Sequence, residues 1–139
     1  MLFRSELANQ AAEQRVEGSD PKRQTSSMED LVNQVKQNIT EIDPLKAKDI
    51  ISNSSVNIVD VREENEFNAG HLDKAILLPR GVLEFKINSI PELSNKSAAI
   101  IVYCATGKRS ALSADALQNL GYTNVLSMAG GYEAWKKQV

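Results

Sequence analysis

Ala98-Ala99-Ile100-Ile101-Val102-Tyr103 runs directly into Cys104-Ala105-Thr106-Gly107-Lys108-Arg109-Ser110. The first six residues are apolar and partly β-branched, the composition of a buried strand. Beyond Ser110, Leu112, Ala116, Leu117 and Leu120 recur at helical spacing, and Gly121 stands where a helix end favours a left-handed residue. The segment therefore predicts a strand, a short loop and a helix, with the thiol of Cys104 at the junction.

Strands and helices alternate on both sides of this segment. Upstream, Ser26-Ser27-Met28-Glu29 has the serine-to-glutamate spacing of a capping box, and Leu31, Val35 and Ile39 mark one face of a helix. Thr40-Glu41-Ile42 is a short strand candidate; Asp43-Pro44 opens a second helix to about Ser52. Val56 to Val61 reads as a strand, Glu63 to Asn68 as a short helix, Ala75 to Leu78 as a strand, and Val82 to Ile90 as a loose helix ended by Pro91. Downstream, Asn124 to Ser127 is a last strand, and Gly130-Gly131 precedes a terminal helix carrying Trp135, expected to pack on the core. This alternation predicts an α/β domain with a parallel sheet and helices on both faces. In such sheets ligands bind beyond the carboxyl ends of the strands, which is where Cys104 falls.

Residues 18–27 contain no apolar side chain, so residues 1–27 are read as a flexible extension and residues 28–139 as one domain. A chain of 139 residues, 42% hydrophobic and 24% charged, suits a single globular core. The net charge of −2 gives no basic field for nucleic acid, and no apolar run approaches the length of a membrane span. No continuous apolar stretch near the N-terminus predicts a secretory signal.

Cys104 is the only cysteine. An internal disulfide, a cysteine-based zinc cluster and an internal resolving thiol are thereby excluded. A covalent adduct on Cys104 must be discharged by an outside acceptor. A free reactive thiol suits a reducing compartment, so a cytoplasmic location is expected. A lone cysteine can also be a small buried apolar residue. What argues for reactivity is the setting: backbone N–H groups from Ala105, Thr106 and their neighbours, the start of a helix, and the cations Lys108 and Arg109 all favour a thiolate and bind anions. Gly107 permits the tight turn, Arg109 can grip two oxygens, and Lys108 acts as a point charge. The expected ligand is a compact oxyanion bearing an atom that the thiolate can attack.

The chain resembles the rhodanese family of sulfurtransferases. The resemblance rests on Ile58-Val59-Asp60-Val61-Arg62 with Glu66-Phe67; on Gly70-His71-Leu72, Ala75 and Leu78-Pro79-Arg80-Gly81; on the Cys104 loop through Ser110; and on Leu120-Gly121-Tyr122, Val125 and Gly130-Gly131 with Trp135. It covers roughly residues 40–137. It implies a five-stranded parallel sheet and a single-domain thiosulfate sulfurtransferase. Cys104 would take sulfane sulfur from thiosulfate or another persulfide donor and hand it to cyanide or a thiol, which can be a protein thiol, with no metal or organic cofactor required. Ala105 to Arg109 would cradle the persulfide. Asp60, Arg62 and Arg80 would brace or rim the site, and His71 would serve a turn rather than catalysis. Gly-His-Leu-Asp-Lys-Ala at residues 70–75 departs from the family's usual Gly-His-Ile-Pro-Gly-Ala, which alters a turn and leaves the active loop intact.

Two other readings follow from the same residues. One is a sulfur-carrying module that delivers persulfide to a partner protein. The other is a phosphatase-like or arsenate-reductase-like cysteine enzyme. The related phosphatases place five residues between cysteine and arginine, whereas four separate Cys104 from Arg109 here.

Overall fold

A computed structural model describes residues 27–139. The extension expected over residues 1–27 falls, but for Ser27, outside the described residues. Val35–Val139 forms one compact unit, and the residues before it belong to a separate one.

Helix α1 (Met28–Lys36) starts one residue later than the expected capping box. Its cap is Ser27, whose Oγ accepts the amide of Asp30 at 3.2 Å. The helix begins at Met28, so the residue in the capping position is Ser27 and the amide three residues on is that of Asp30, not Glu29.

The remaining elements are β1 (Thr40–Ile42), α2 (Pro44–Asn53), β2 (Asn57–Asp60), α3 (Glu64–Asn68), β3 (Ile76–Leu77), α4 (Leu83–Lys86), β4 (Ile100–Tyr103), α5 (Lys108–Asn119), β5 (Val125–Met128) and α6 (Gly131–Gln138). Local chemistry accounts for several of their ends. Asp43 caps α2 by accepting the amide of Lys46 at 2.7 Å, with Pro44 at the first helical position. The loose helix expected over 82–90 is a single α turn flanked by 3₁₀ turns, Arg80–Val82 before it and Ile87–Ser89 after it. Helix α5 ends as expected at Gly121, which has φ +95°. The amide of Gly121 donates to Gln118 O and that of Tyr122 to Leu117 O, both at 3.0 Å, the paired bonds of a Schellman motif.

All five strands are parallel, in the order β1-β5-β4-β2-β3. β4 lies in the middle, and every one of its residues is buried. Its side chains alternate between two cores, as the period of a strand requires. Ile100, Val102 and Cys104 join Val59, Val61, Leu83, Ala114 and Leu117 on the face covered by α4 and α5. Ile101 and Tyr103 join Ile58, Ala47 and Met128 on the face covered by α2 and α6, where Trp135 packs. Cys104 is thus the last inward residue of the central strand, aimed at the face that α5 covers. Among the described residues, no helix is long and apolar enough to cross a membrane.

Candidate active site

Cys104 follows β4 and is almost wholly buried, at 1% exposure. The chain then turns over three residues into α5. Gly107, at φ +101°, is the residue before the helix, and a Cβ there would come within 3.1 Å of the amide nitrogen of Gly130. This turn aims the N–H groups of Gly107 and Ser110 at the Cys104 sulfur, at 3.1 and 3.3 Å. Both amides belong to the first turn of a helix or its cap, where they have no intrahelical partner. A sulfur carrying negative charge is the acceptor that such a pair favours.

Two serine hydroxyls complete the shell. Ser110 Oγ lies 3.6 Å from Cys104 Sγ and donates to Gly107 O at 3.2 Å. Ser127 Oγ, from β5, donates to Ser110 Oγ at 3.0 Å. Both serines are fully buried. Sequence reasoning places Ser110 at the end of the Cys104 motif and misses Ser127. Ser110 was legible as part of the loop; Ser127 had no sequence signal, because only the β4–β5 pairing brings it beside α5.

The back of the loop is held by α6. The amides of Tyr132 and Glu133 donate to Cys104 O at 2.7 Å and Ala105 O at 3.0 Å. This close approach requires glycine before them. Gly131 has φ +62°, and a Cβ on it would overlap Cys104 O and sit within 2.6 Å of Ala105 O.

The predicted site residues fall into three groups. Ala105 to Arg109 form the loop and the first turn of α5, with Thr106 and Lys108 exposed. The guanidinium of Arg109 meets the carboxylate of Glu66 fork to fork, Nη1 to Oε1 at 2.7 Å and Nη2 to Oε2 at 2.9 Å. These hydrogen bonds hold the Glu66 carboxyl well below the usual carboxylate range, at about 2, and raise the pKa of Arg109.

Asp60 and Arg62 form the second group. They make a buried ion pair behind the loop: Arg62 Nη2 to Asp60 Oδ2 at 2.7 Å and Arg62 Nε to Asp60 Oδ1 at 3.0 Å. Tyr103 joins them, donating its hydroxyl to Asp60 Oδ2 at 2.7 Å and accepting the amide of Leu72 at 3.1 Å. Burial, and then this bond to Asp60, pushes the Tyr103 phenol upward. Arg62 also donates to Gly70 O at 2.7 Å, so the network ties the ends of β2 and β4 to the turn after α3.

His71 and Arg80 make their contacts elsewhere. The exposed His71 ring stacks on Phe67 with centroids 3.6 Å apart, and its Nδ1 lies 2.9 Å from Phe67 O. Arg80 pairs with Glu84 on α4 at 2.8 Å. Beside the loop opens a cleft of about 230 Å³, lined among others by Ala105, Arg62, Glu66, Tyr132, Glu133 and Lys136. Among the described residues, no group of acidic, histidine or cysteine side chains is arranged to hold a metal ion.

Comparison with known proteins agrees with this architecture. The profile of the rhodanese-like domain matches residues 43–138. Thiosulfate sulfurtransferase GlpE of Coxiella burnetii is 29% identical over 96 residues, covering 69% of this chain and 86% of that protein. YrkF of Bacillus subtilis, a candidate sulfur carrier protein, is 30% identical over 84 residues, covering 60% of this chain and 43% of its own length. The chain spans less than two thirds of several of the curated relatives it matches, at 64%, 43% and 25% of their lengths. A solved structure from Rhodopseudomonas palustris, of unknown function and described as a possible tyrosine phosphatase, superposes with a TM-score of 0.75 at 28% identity, covering 86% of this chain and 96% of that one. The family match runs from the cap of α2 to the end of α6, taking in four of the five strands and the whole Cys104 loop; the chain belongs to the rhodanese-like domain family, alongside sulfurtransferases.

Proposed function

We propose that this protein is a sulfurtransferase that carries sulfane sulfur as a persulfide on Cys104. The observation that carries the reading is the pair of amides, from Gly107 and Ser110, directed at the Cys104 sulfur inside a loop that reaches Arg109 after four residues.

In the first half-reaction the Cys104 thiolate attacks the outer sulfur of thiosulfate. A bond forms between Sγ and that sulfur as the donor's sulfur–sulfur bond breaks, and its electron pair leaves with sulfite. In the second, a thiolate or cyanide attacks the terminal sulfur, and the electron pair of the persulfide bond returns to Cys104. This is covalent catalysis with the charged intermediate stabilised by fixed dipoles. The loop amides hold charge on sulfur at both ends of the cycle, with Ser110 and Ser127 fixing the position of Sγ. Asp60, Arg62 and Tyr103 keep the strand end rigid behind it. Since the chain has one cysteine, the acceptor is external in every turnover. Such a thiol chemistry fits a reducing compartment such as the cytoplasm.

A carrier role, in which the persulfide is passed to a partner protein, is the second reading, favoured by the likeness to YrkF. The phosphatase reading is disfavoured by the short loop, despite the description given to the Rhodopseudomonas neighbour.

Intact-mass measurement after mixing with thiosulfate tests the proposal. Wild type gains one sulfur atom and Cys104→Ser gains none; subsequent cyanide removes the adduct and releases thiocyanate. Absence of the adduct, together with hydrolysis of an aryl phosphate, would favour a phosphatase. Loading without steady-state turnover with small thiols would favour the carrier.

A further inference from the structure

Both arginines around the cleft beside the Cys104 loop are already committed to carboxylates. Arg62 is bonded to Asp60 and to Gly70 O. Arg109, the arginine of the loop, has both arms of its fork on Glu66. Glu66 cannot swing away freely, because its Oε1 also accepts the amide of Glu63 at 3.0 Å, which ties the carboxylate to the first turn of α3. Of the other charged groups lining the cleft, Lys136 and Glu133 are both exposed, and the Lys136 ammonium lies over the Tyr132 ring, 5.2 Å from its centroid. Lys108 is exposed in the first turn of α5 and does not line it. A small dianion entering here meets no uncommitted arginine, and to reach the Arg109 fork it must displace a bidentate, charge-assisted pair.

We propose that Glu66 is a specificity-determining residue that turns this site away from dianionic sulfur donors and toward donors carrying a single negative charge, such as thiosulfonates. This rests on the persulfide reading above and refines its substrate class. The discriminating element is a carboxylate that lines the cleft and occupies the Arg109 fork, so that a second negative charge on the donor finds no arginine there, and not an added attraction for the preferred donor. Thiosulfate and methanethiosulfonate isolate that element. Both present a terminal sulfur bonded to a sulfonyl sulfur, and the same bond breaks in each. Attack by the Cys104 thiolate expels sulfite from the first and methanesulfinate from the second, each taking the electron pair, so that the principal difference at the mouth is one unit of charge.

The test is the rate at which full-length protein gains one sulfur on Cys104, followed by mass, with each donor separately. Glu66→Gln is expected to raise the thiosulfate rate relative to the methanethiosulfonate rate by about tenfold, a modest share of the effect of one nearby charge after solvent screening. Glu66→Asp, which keeps the charge, is expected to hold the wild-type ratio within about threefold. An unchanged ratio in Glu66→Gln, with sulfur still gained from both donors, overturns this proposal and leaves the persulfide reading standing. Failure of wild type to gain sulfur from either donor overturns both. Should Glu66→Gln not fold, the salt dependence of wild type decides. A thiosulfate rate that is flat or rising with ionic strength supports the proposal, and one that falls steeply, as at an open cationic cradle, overturns it.

Discussion

The amide of Tyr132 donates to the carbonyl of Cys104 at 2.7 Å, so the first turn of α6 grips the reactive loop through its backbone. The side chain of Cys104 meanwhile points the opposite way, into the face covered by α5. The loop is thus clamped between the starts of two helices. One supplies amides to its sulfur and the other supplies amides to its carbonyls. Every donor in the two sets is a backbone amide, which makes the glycines that permit the approach the sensitive positions.

Gly131→Ala is therefore expected to damage the site more than an exposed alanine substitution could. The new Cβ would overlap Cys104 O, and the residue sits at φ +62°, a conformation costing an L-residue about 1–2 kcal/mol before any clash is counted. Thermal denaturation should show a loss of at least about 5 °C. Sulfur uptake on Cys104 should fall even where the variant remains folded. A variant with wild-type melting and uptake would show that the clamp is not needed.

The buried pair of Asp60 and Arg62 is expected to behave asymmetrically. Asp60→Asn strips a nearly unexposed guanidinium of its counter-charge and should cost about 3–5 kcal/mol. Replacing both residues together, Asp60→Leu with Arg62→Met, should cost markedly less, since no charge is then stranded. Denaturant titration of the two variants checks the order. Equal losses would mean that the pair's attraction outweighs its desolvation.

Acid should act through Glu66. Its folded pKa of about 2 lies below the ordinary 4.5, so the unfolded chain takes up the proton first as pH falls. The stabilisation is complete above about pH 5 and is lost on descending from there toward pH 2. Melting temperatures across that window should decline more steeply in wild type than in Glu66→Gln. Parallel curves would place the acid sensitivity elsewhere.

The hydroxyl chain can be read by distance from sulfur. Ser110→Ala removes the group 3.6 Å from Cys104 Sγ and also leaves Ser127 Oγ without its acceptor. Ser127→Ala removes only the outer donor and should cost about 0.5–1.5 kcal/mol. Sulfur uptake should slow more in Ser110→Ala than in Ser127→Ala. The reverse order would argue that β5, and not the helix residue, positions the thiol.

Much of this was legible in the order of residues. The run from Ile100 to Tyr103 announced a buried strand, because a strand buried on both faces has no polar alternation to show. The cap at Asp43, the stop at Gly121 and the placement of Cys104 at a strand end all follow from local rules, since each is settled within a few residues of chain. The capping residue of α1 was misplaced by one because adjacent serines offer the same chemistry, and only the onset of the helix distinguishes them.

What the tertiary structure alone decided is which charges and hydroxyls meet. Arg109 and Glu66 are 43 residues apart, as are Asp60 and Tyr103, and Ser110 and Ser127 are 17 apart. Such pairs leave no periodicity to read, because they are set by strand order and helix docking and not by neighbouring dihedral angles. The sequence by itself determined that the lone thiol would stand at the end of a buried parallel strand. The fold decided that the loop's arginine would already be engaged, because β2 and β4 pair in parallel and so bring the starts of α3 and α5, which follow them, to the same end of the sheet, where Glu66 and Arg109 meet as a bidentate pair.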